Sequence, residues 1–343
     1  MSRRYIVSLL MLAVLLVVTA ALNIVLGTVD IPIDEVLTVM CGGEPQRATW
    51  KIIILESRLP MVATASLAGA ALAVAGLLLQ TTFNNPLAGP SILGVSTGAS
   101  LGVAIIMLSI GTGLGSMFGI TASGYASILA GAFIGAAIIL GILLFFSALV
   151  KSNTMLLIIG ILVSYLTSSA ISILNFFATQ EGVHSYVIWG LGSFSGVSAS
   201  QLPAFAIPIA TALIAAMLMA KPLNALLLGS RYAESLGVNV KVTRNALLAI
   251  TGVLTAAVTA FCGPIGFLGL VVPHMARLLL NTTNHHRLLP ITALCGAVVA
   301  LLCSLICVLP DSGTLPINAI TPVIGVPVIL YVILNRRKIP YFN

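Results

Sequence analysis

No Asp, Glu, Lys, Arg or His occurs in the 92 residues (59–150) between Arg58 and Lys151. A charge near the centre of a membrane helix costs roughly 2.5–3.5 kcal/mol on insertion scales, so an uncharged run that long belongs in hydrocarbon. The whole chain is 7% charged and 59% hydrophobic, against about 25% charged in soluble domains. That composition overrules the two soluble domains that 343 residues would otherwise suggest. The net charge of +7 raises nucleic acid as a partner, but no basic patch interleaved with aromatics is present to bind it.

Further absences narrow the chemistry. The phosphate-binding pattern GxxxxGK[ST] is missing, and so are HExxH and GxSxG, which excludes an ATPase of that type and the familiar intramembrane hydrolases. The five cysteines, Cys41, Cys262, Cys295, Cys303 and Cys307, include no CxxC pair and are odd in number. They read as apolar packing residues rather than as metal or redox ligands. The spans also lack the carboxylates that proton- or sodium-driven transporters keep inside the membrane. Whatever energises this protein therefore sits outside it. That leaves a subunit moved by a separate motor, or a passive channel or secondary transporter as the remote alternative.

What is present is a series of spans of about 20 apolar residues. They fall near 5–27, 58–80, 91–111, 121–149, 154–178, 199–220, 243–262, 267–281, 288–309 and 319–335. The first follows Arg3-Arg4 like a signal peptide, but its apolar run is too long for one. Alternating the chain through ten spans from a cytoplasmic N-terminus puts twelve bases inside and three (Arg47, Lys51, Arg58) outside. Seven of the eight acids fall outside, leaving Glu234 within. This is the positive-inside rule, and adding or dropping one span would scramble it downstream. The chain is thus expected to be an all-α polytopic membrane protein, one transmembrane domain over 1–343 with both termini cytoplasmic.

Two features stand out against this layout. The break between Gln80 and Gly94 holds two asparagines and two prolines, which cannot continue an ordinary membrane helix. A second break, Gly263-Pro264-Ile265-Gly266, ends the seventh span and faces the opposite side. Matching Gly/Pro interruptions in oppositely oriented halves suggest two inverted repeats and point to a transport pathway. The other feature is the 221–244 loop, where Pro222 is expected to open one short helix, and Ser230 to cap a second that Gly237 ends. Two short helices on the inner face suit a docking surface, and the alternative is a basic loop that merely fixes orientation. Pro273-His274 reads as a kink with the histidine bonded to backbone, and His285-His286 as a solvated turn.

These blocks resemble the permease subunits of type II ABC importers, which carry ferric siderophores, haem or cobalamin. The first half contributes Arg58-Leu59-Pro60, Gly69 to Gly76, Gln80, Asn85-Pro86-Leu87-Ala88, Pro90, Leu93-Gly94-Val95 and Gly98-Ala99. The second contributes Ala233 to Val238, Cys262 to Arg277, His286 to Pro290, Leu315-Pro316-Ile317 and Ile324 to Pro327. The likeness covers nearly the whole chain in order. It implies a homodimer in a bacterial inner membrane, with the pathway between two copies of this chain. Two ATP-binding subunits would sit below, carrying ATP and Mg, and a periplasmic or lipid-anchored substrate-binding protein above. The chain itself would bind no cofactor, hydrolyse no ATP and contact membrane lipid but no nucleic acid. An iron chelate, a siderophore or haem, is the implied cargo, with cobalamin as the alternative.

Residue by residue, Asn85, Pro86 and Leu87 match the cytoplasmic gate turn. Arg231, Ala233, Glu234, Leu236 and Gly237 match the helices that dock into the ATPase. Ser168, Ser169 and Ser172 match the pathway wall. Arg58 matches an outer arginine that pairs with a glutamate of the binding protein. The chain departs from the pattern at Met61, where many relatives have a second arginine, and at Thr314, where the usual residue is glutamate. Cys303 and Cys307 stand at or near the aspartate and arginine of the ninth span. Arg47 and Lys51 are the candidates to replace the lost charges.

Overall fold

The computed structural model describes residues 3–109, 124–150, 152–308 and 313–334, and these are helical with no strand among them. Lys151, Asp311, Arg336, Arg337, Lys338 and both chain ends lie outside the described residues, as do parts of the third, fourth and last expected spans. The helices that cross are α1 (Arg3–Val25), α4 (Leu59–Thr82), α5 (Val95–Ser109), α6 (Tyr125–Leu149), α7 (Asn153–Phe177), α9 (Leu202–Leu218), α12 (Val240–Cys262), α13 (Leu268–Leu280), α14 (His285–Val308) and α15 (Ile317–Leu334). Between them run α2 (Ile33–Met40), α3 (Ala48–Ile52), α8 (Gln180–Gly190), α10 (Ala220–Leu226) and α11 (Ser230–Ser235). Among the described residues, six helices are long and apolar enough to span, a bent pair (α9 and α10) makes a seventh, and three shorter apolar helices complete the expected ten.

The breaks are irregular chain set among the helices. A 3₁₀ turn, Pro90–Leu93, leads into α5. That irregular backbone is buried at Ala88, Gly89, Pro90 and Leu93, which is where non-helical chain is tolerated at membrane depth. The break before α13 is its counterpart, entered through Gly263 and left through Phe267, both at positive φ.

The packing has an internal symmetry. Exchanging α1, α4, α5, α6 and α7 for α9, α12, α13, α14 and α15 maps most neighbours onto one another. α4 packs on α13 and α14 as α12 packs on α5 and α6; α5 meets α6 and α7 as α13 meets α14 and α15; and α4 packs on α12 at the centre. Each half crosses five times, an odd number, so the second repeat is inverted relative to the first. The first helix of each half breaks the pattern, since α1 lies on α14 while α9 lies on α12 and α4.

The charges sort to two ends. At one, Arg4 donates to the carbonyls of Leu278 and Leu279 (3.3 and 2.9 Å), and Asn224 of α10 bonds Asn284 ahead of α14 (3.2 Å). This end carries Arg3, Arg4, Lys221, Arg231, Lys241, Arg244, Arg277 and Arg287. At the other, Asn318 bonds the carbonyl of Gly190 (3.1 Å) and the Ser193 amide that of Cys262 (2.9 Å). Asp30, Asp34, Glu35, Glu44, Glu56 and Glu181 lie there. Among the described residues the sorting expected from sequence holds.

Three local expectations change. The span expected from residue 58 is the inner part of one helix running Ala48–Thr82. Pro60 does not start it, because a π-helical turn, Ile53–Arg58, shifts the bonding register immediately before the residue that lacks a donor. The second loop helix is capped by Gly229 at φ 96°, not by Ser230, whereas Gly237 does end it, at φ 84°. His285 is no solvated turn. It is 1% exposed, while His286 alone faces outward. Four of the five cysteines are buried among apolar neighbours, with Cys41 exposed.

Candidate functional site

The turn after α4 is built by its own asparagines. Asn84 takes a left-handed φ of 46°, and the Asn85 amide returns to the Gln80 carbonyl (3.0 Å). The Asn85 side chain then accepts from the Leu87 amide (2.9 Å), an Asx turn that Pro86 reinforces. Leu87 is left 47% exposed at the tip. A turn rigid in its backbone and apolar at its tip can plug a pathway without a charge to hold cargo.

Sequence reasoning left the partners of this turn unassigned. His274, on α13, sits against the carbonyl of Pro86 (2.8 Å), which fixes its Nε2 as the donor. Gln80 is fully buried. Its amide donates to the Leu270 carbonyl (3.1 Å), and its oxygen accepts from Arg277 (2.6 Å). Leu270 lies next to Gly269, whose carbonyl is the one Pro273 leaves without a helical donor, so Gln80 ties α4 to the kinked part of α13. The signal was the run Pro273-His274 with Arg277 one turn on, which reads as a kink until its partner is known.

The 221–244 loop presents a mixed surface at the same end. Ala233 is completely buried and anchors α11, while Arg231, Glu234 and Gly237 are exposed. Leu228, Tyr232 and Leu236 are 61%, 54% and 57% exposed. Tyr232 and Leu236 stand i, i+4 along α11, Leu228 precedes the break at Gly229, and their exposure beside the charged groups adds Leu228 and Tyr232 to the docking candidates. Glu234 forms no ion pair among the described residues.

Ser168, Ser169 and Ser172 lie together on an exposed face of α7, and Ser172 bonds the Ser168 carbonyl (3.0 Å). Large apolar side chains share that exposure, including Tyr165 (69%), Leu166 (73%) and Phe176 (83%).

The outer end holds a cavity of about 560 Å³. Met61, Cys307 and Thr314, at or near positions where the resemblance implies charges, line it together. Arg58 borders it but does not project outward. It is 4% exposed, and its guanidinium donates to the carbonyls of Ile24 and Val25 at the C-terminal end of α1 and of Val29 just beyond it. Of the outer bases, Lys51 pairs with Glu44 (2.6 Å) and Arg47 lies exposed over Trp50 (5.2 Å).

Comparison with known proteins places this architecture. The FecCD transport family matches residues 15–335. The chain belongs to that family. The vitamin B12 import system permease proteins BtuC of Salmonella paratyphi A, Salmonella typhi and Salmonella typhimurium are each 35% identical over 310 residues, 87% of this chain and 91% of theirs. A solved structure described as an inward-facing conformation of a metal-chelate type ABC transporter superposes with a TM-score of 0.82 at 30% identity, covering 96% of this chain and 98% of that one. This FecCD permease is therefore a membrane transport subunit of an ABC importer.

Proposed function

We propose that two copies of this chain form the translocation unit of an inner-membrane importer driven by two separate ATP-binding subunits and fed by a substrate-binding protein. The observation that carries this is the 221–244 surface: two short helices with exposed apolar side chains and an exposed acid, at the basic end of the bundle, bonded to the start of α14. The basic end, with both termini, faces the cytoplasm by the positive-inside rule. The second copy covers the exposed apolar face of α7, and the pathway runs between the copies past Ser168, Ser169 and Ser172.

The cargo is a metal chelate. An iron chelate remains the reading drawn from the sequence. Cobalamin is the second reading, favoured by relatives named for vitamin B12 import at 35% identity. The binding protein docks around the outer cavity, and Arg47 is its available base; Arg58 supports α1 from within. Co-expression with a candidate ATP-binding subunit tests the reading. The two should copurify, and the complex in liposomes should take up radiolabelled cobalamin, haem or a ferric siderophore only with ATP. A chain that neither binds nor stimulates the ATPase is a channel or secondary transporter.

The gate yields a sharper expectation. Cysteine in place of Asn85 or Leu87 should crosslink to its symmetry mate across the dimer in one nucleotide state and lose that crosslink in another. The effect should be largest without the binding protein, which biases the cycle. If neither position crosslinks in any state of a transporting complex, the gate lies elsewhere, with α7 around Ser168 to Ser172 next in line.

A further inference from the structure

We propose that the coupling loop acts on the gate turn through two polar arms that end on adjacent residues, Thr81 and Thr82. The first arm leaves from α10. The Asn224 side-chain oxygen accepts from the His285 backbone amide (2.8 Å) and faces His285 Nδ1 (3.0 Å). Because that oxygen is already an acceptor, Nδ1 must carry the proton, which leaves Nε2 free to accept. Nε2 lies 2.8 Å from the Thr81 hydroxyl, whose one proton it shares with the Leu77 carbonyl (3.0 Å). Thr81 is in the last turn of α4, and its carbonyl accepts from the Asn84 amide inside the gate turn (3.2 Å).

The second arm leaves from the start of α12, where the loop re-enters the membrane. Arg244 is 5% exposed. It donates to the Ser147 and Val150 carbonyls at the end of α6 (2.6 and 2.9 Å) and to the Asn153 side-chain oxygen (3.1 Å). Asn153 opens α7, and its amide nitrogen donates to the Thr82 carbonyl (2.7 Å). Movement of the loop at either end thus has one intermediary to α4, His285 or Asn153. The second arm also takes the start of α7 with it, so the gate and the serine-bearing wall are drawn together.

These links are buried or half-buried, and each middle residue is bonded on both sides, which suits transmission better than support. A cap needs only one partner. His285→Asn can keep the Asn224 contact but cannot reach Thr81, and His285→Gln can do the reverse. A structural role would be rescued by one of them, whereas a link would be rescued by neither. The proposal rests on the importer reading above, and the test separates the two.

The assembled importer, carrying Leu87→Cys with its native cysteines replaced, is labelled with a maleimide without nucleotide and with ATP plus vanadate. The parent complex should show a labelling rate that changes with nucleotide. Thr81→Val, His285→Phe or Asn153→Ala should each shrink that change about threefold, as for mutations along a coupling network. His285→Phe with Asn153→Ala should remove it, while ATP hydrolysis persists. Thr81→Val is nearly isosteric and carries the test if the double variant does not fold. A nucleotide response that survives the double variant, or survives Thr81→Val when the double variant is not recovered, overturns the two-arm link. Full rescue by His285→Asn does so as well. A parent complex with no nucleotide response overturns the importer reading instead.

Discussion

Replacing Gly76 with valine should eliminate folded protein, whereas the same change at Gly141 should leave the yield within about twofold, as surface changes away from packed features do. A Cβ at Gly76 would overlap the carbonyl, carbonyl carbon and Cα of Gly269, where α4 crosses α13 backbone to backbone. No side chain is there to give way, so the helices must part. Overpacking a core typically costs about 1–3 kcal/mol when side chains can adjust, and here they cannot. Separation would also pull Gln80, one turn on, from the Leu270 carbonyl and from Arg277. Gly141 faces open space on α6, where a Cβ would meet nothing within 4 Å. Size-exclusion chromatography of detergent extracts distinguishes the two. Recovery of monodisperse Gly76→Val protein at wild-type level would show that the α4–α13 crossing is looser than its backbone contact implies.

That crossing illustrates what was legible in the sequence. The ten spans could be counted because each obeys a length set by the bilayer, and because the charges between them sort by side. The breaks at Asn85-Pro86 and Gly263-Pro264 were visible because proline and glycine announce themselves. Which glycine meets which backbone was not, since the chain has 31 of them and proximity is a tertiary fact. The same holds for His285, whose partners Asn224 and Thr81 stand 61 and 204 residues away. A pair of histidines between two spans looks like a solvated turn until the loop folds back over it. Arg58 fits the outer-face motif in sequence, but its place in the π-helical turn directs it onto α1. The extension of α4 outward past Pro60 was hidden for a related reason: proline usually opens a helix, and the register shift that lets this helix pass has no sequence mark.

Glu234→Lys and Gly237→Pro should each lower ATP-driven uptake by roughly thirtyfold or more, while the protein still inserts and is recovered in normal amount. The size follows from the roughly 2–5 kcal/mol typical when one member of a buried interfacial charge pair is removed, and reversal adds repulsion. Glu234 is the exposed acid in a loop that otherwise offers Lys221, Arg231 and Lys241, so a lysine there leaves any basic partner facing only bases. Gly237 acts through backbone. Its φ of 84° is closed to proline, which is fixed near about −65°, and its amide donates to the Glu234 carbonyl (2.9 Å). Proline removes that bond and unravels the end of α11, moving Leu236 and Glu234 off the docking face. Both residues are exposed, so neither change disturbs the bundle, and the defect should appear in transport per ATP hydrolysed rather than in stability. Uptake into liposomes, measured beside the ATPase rate of the same preparation, gives that ratio. Wild-type uptake by either variant would show that the partner docks elsewhere and that this loop only orients the chain.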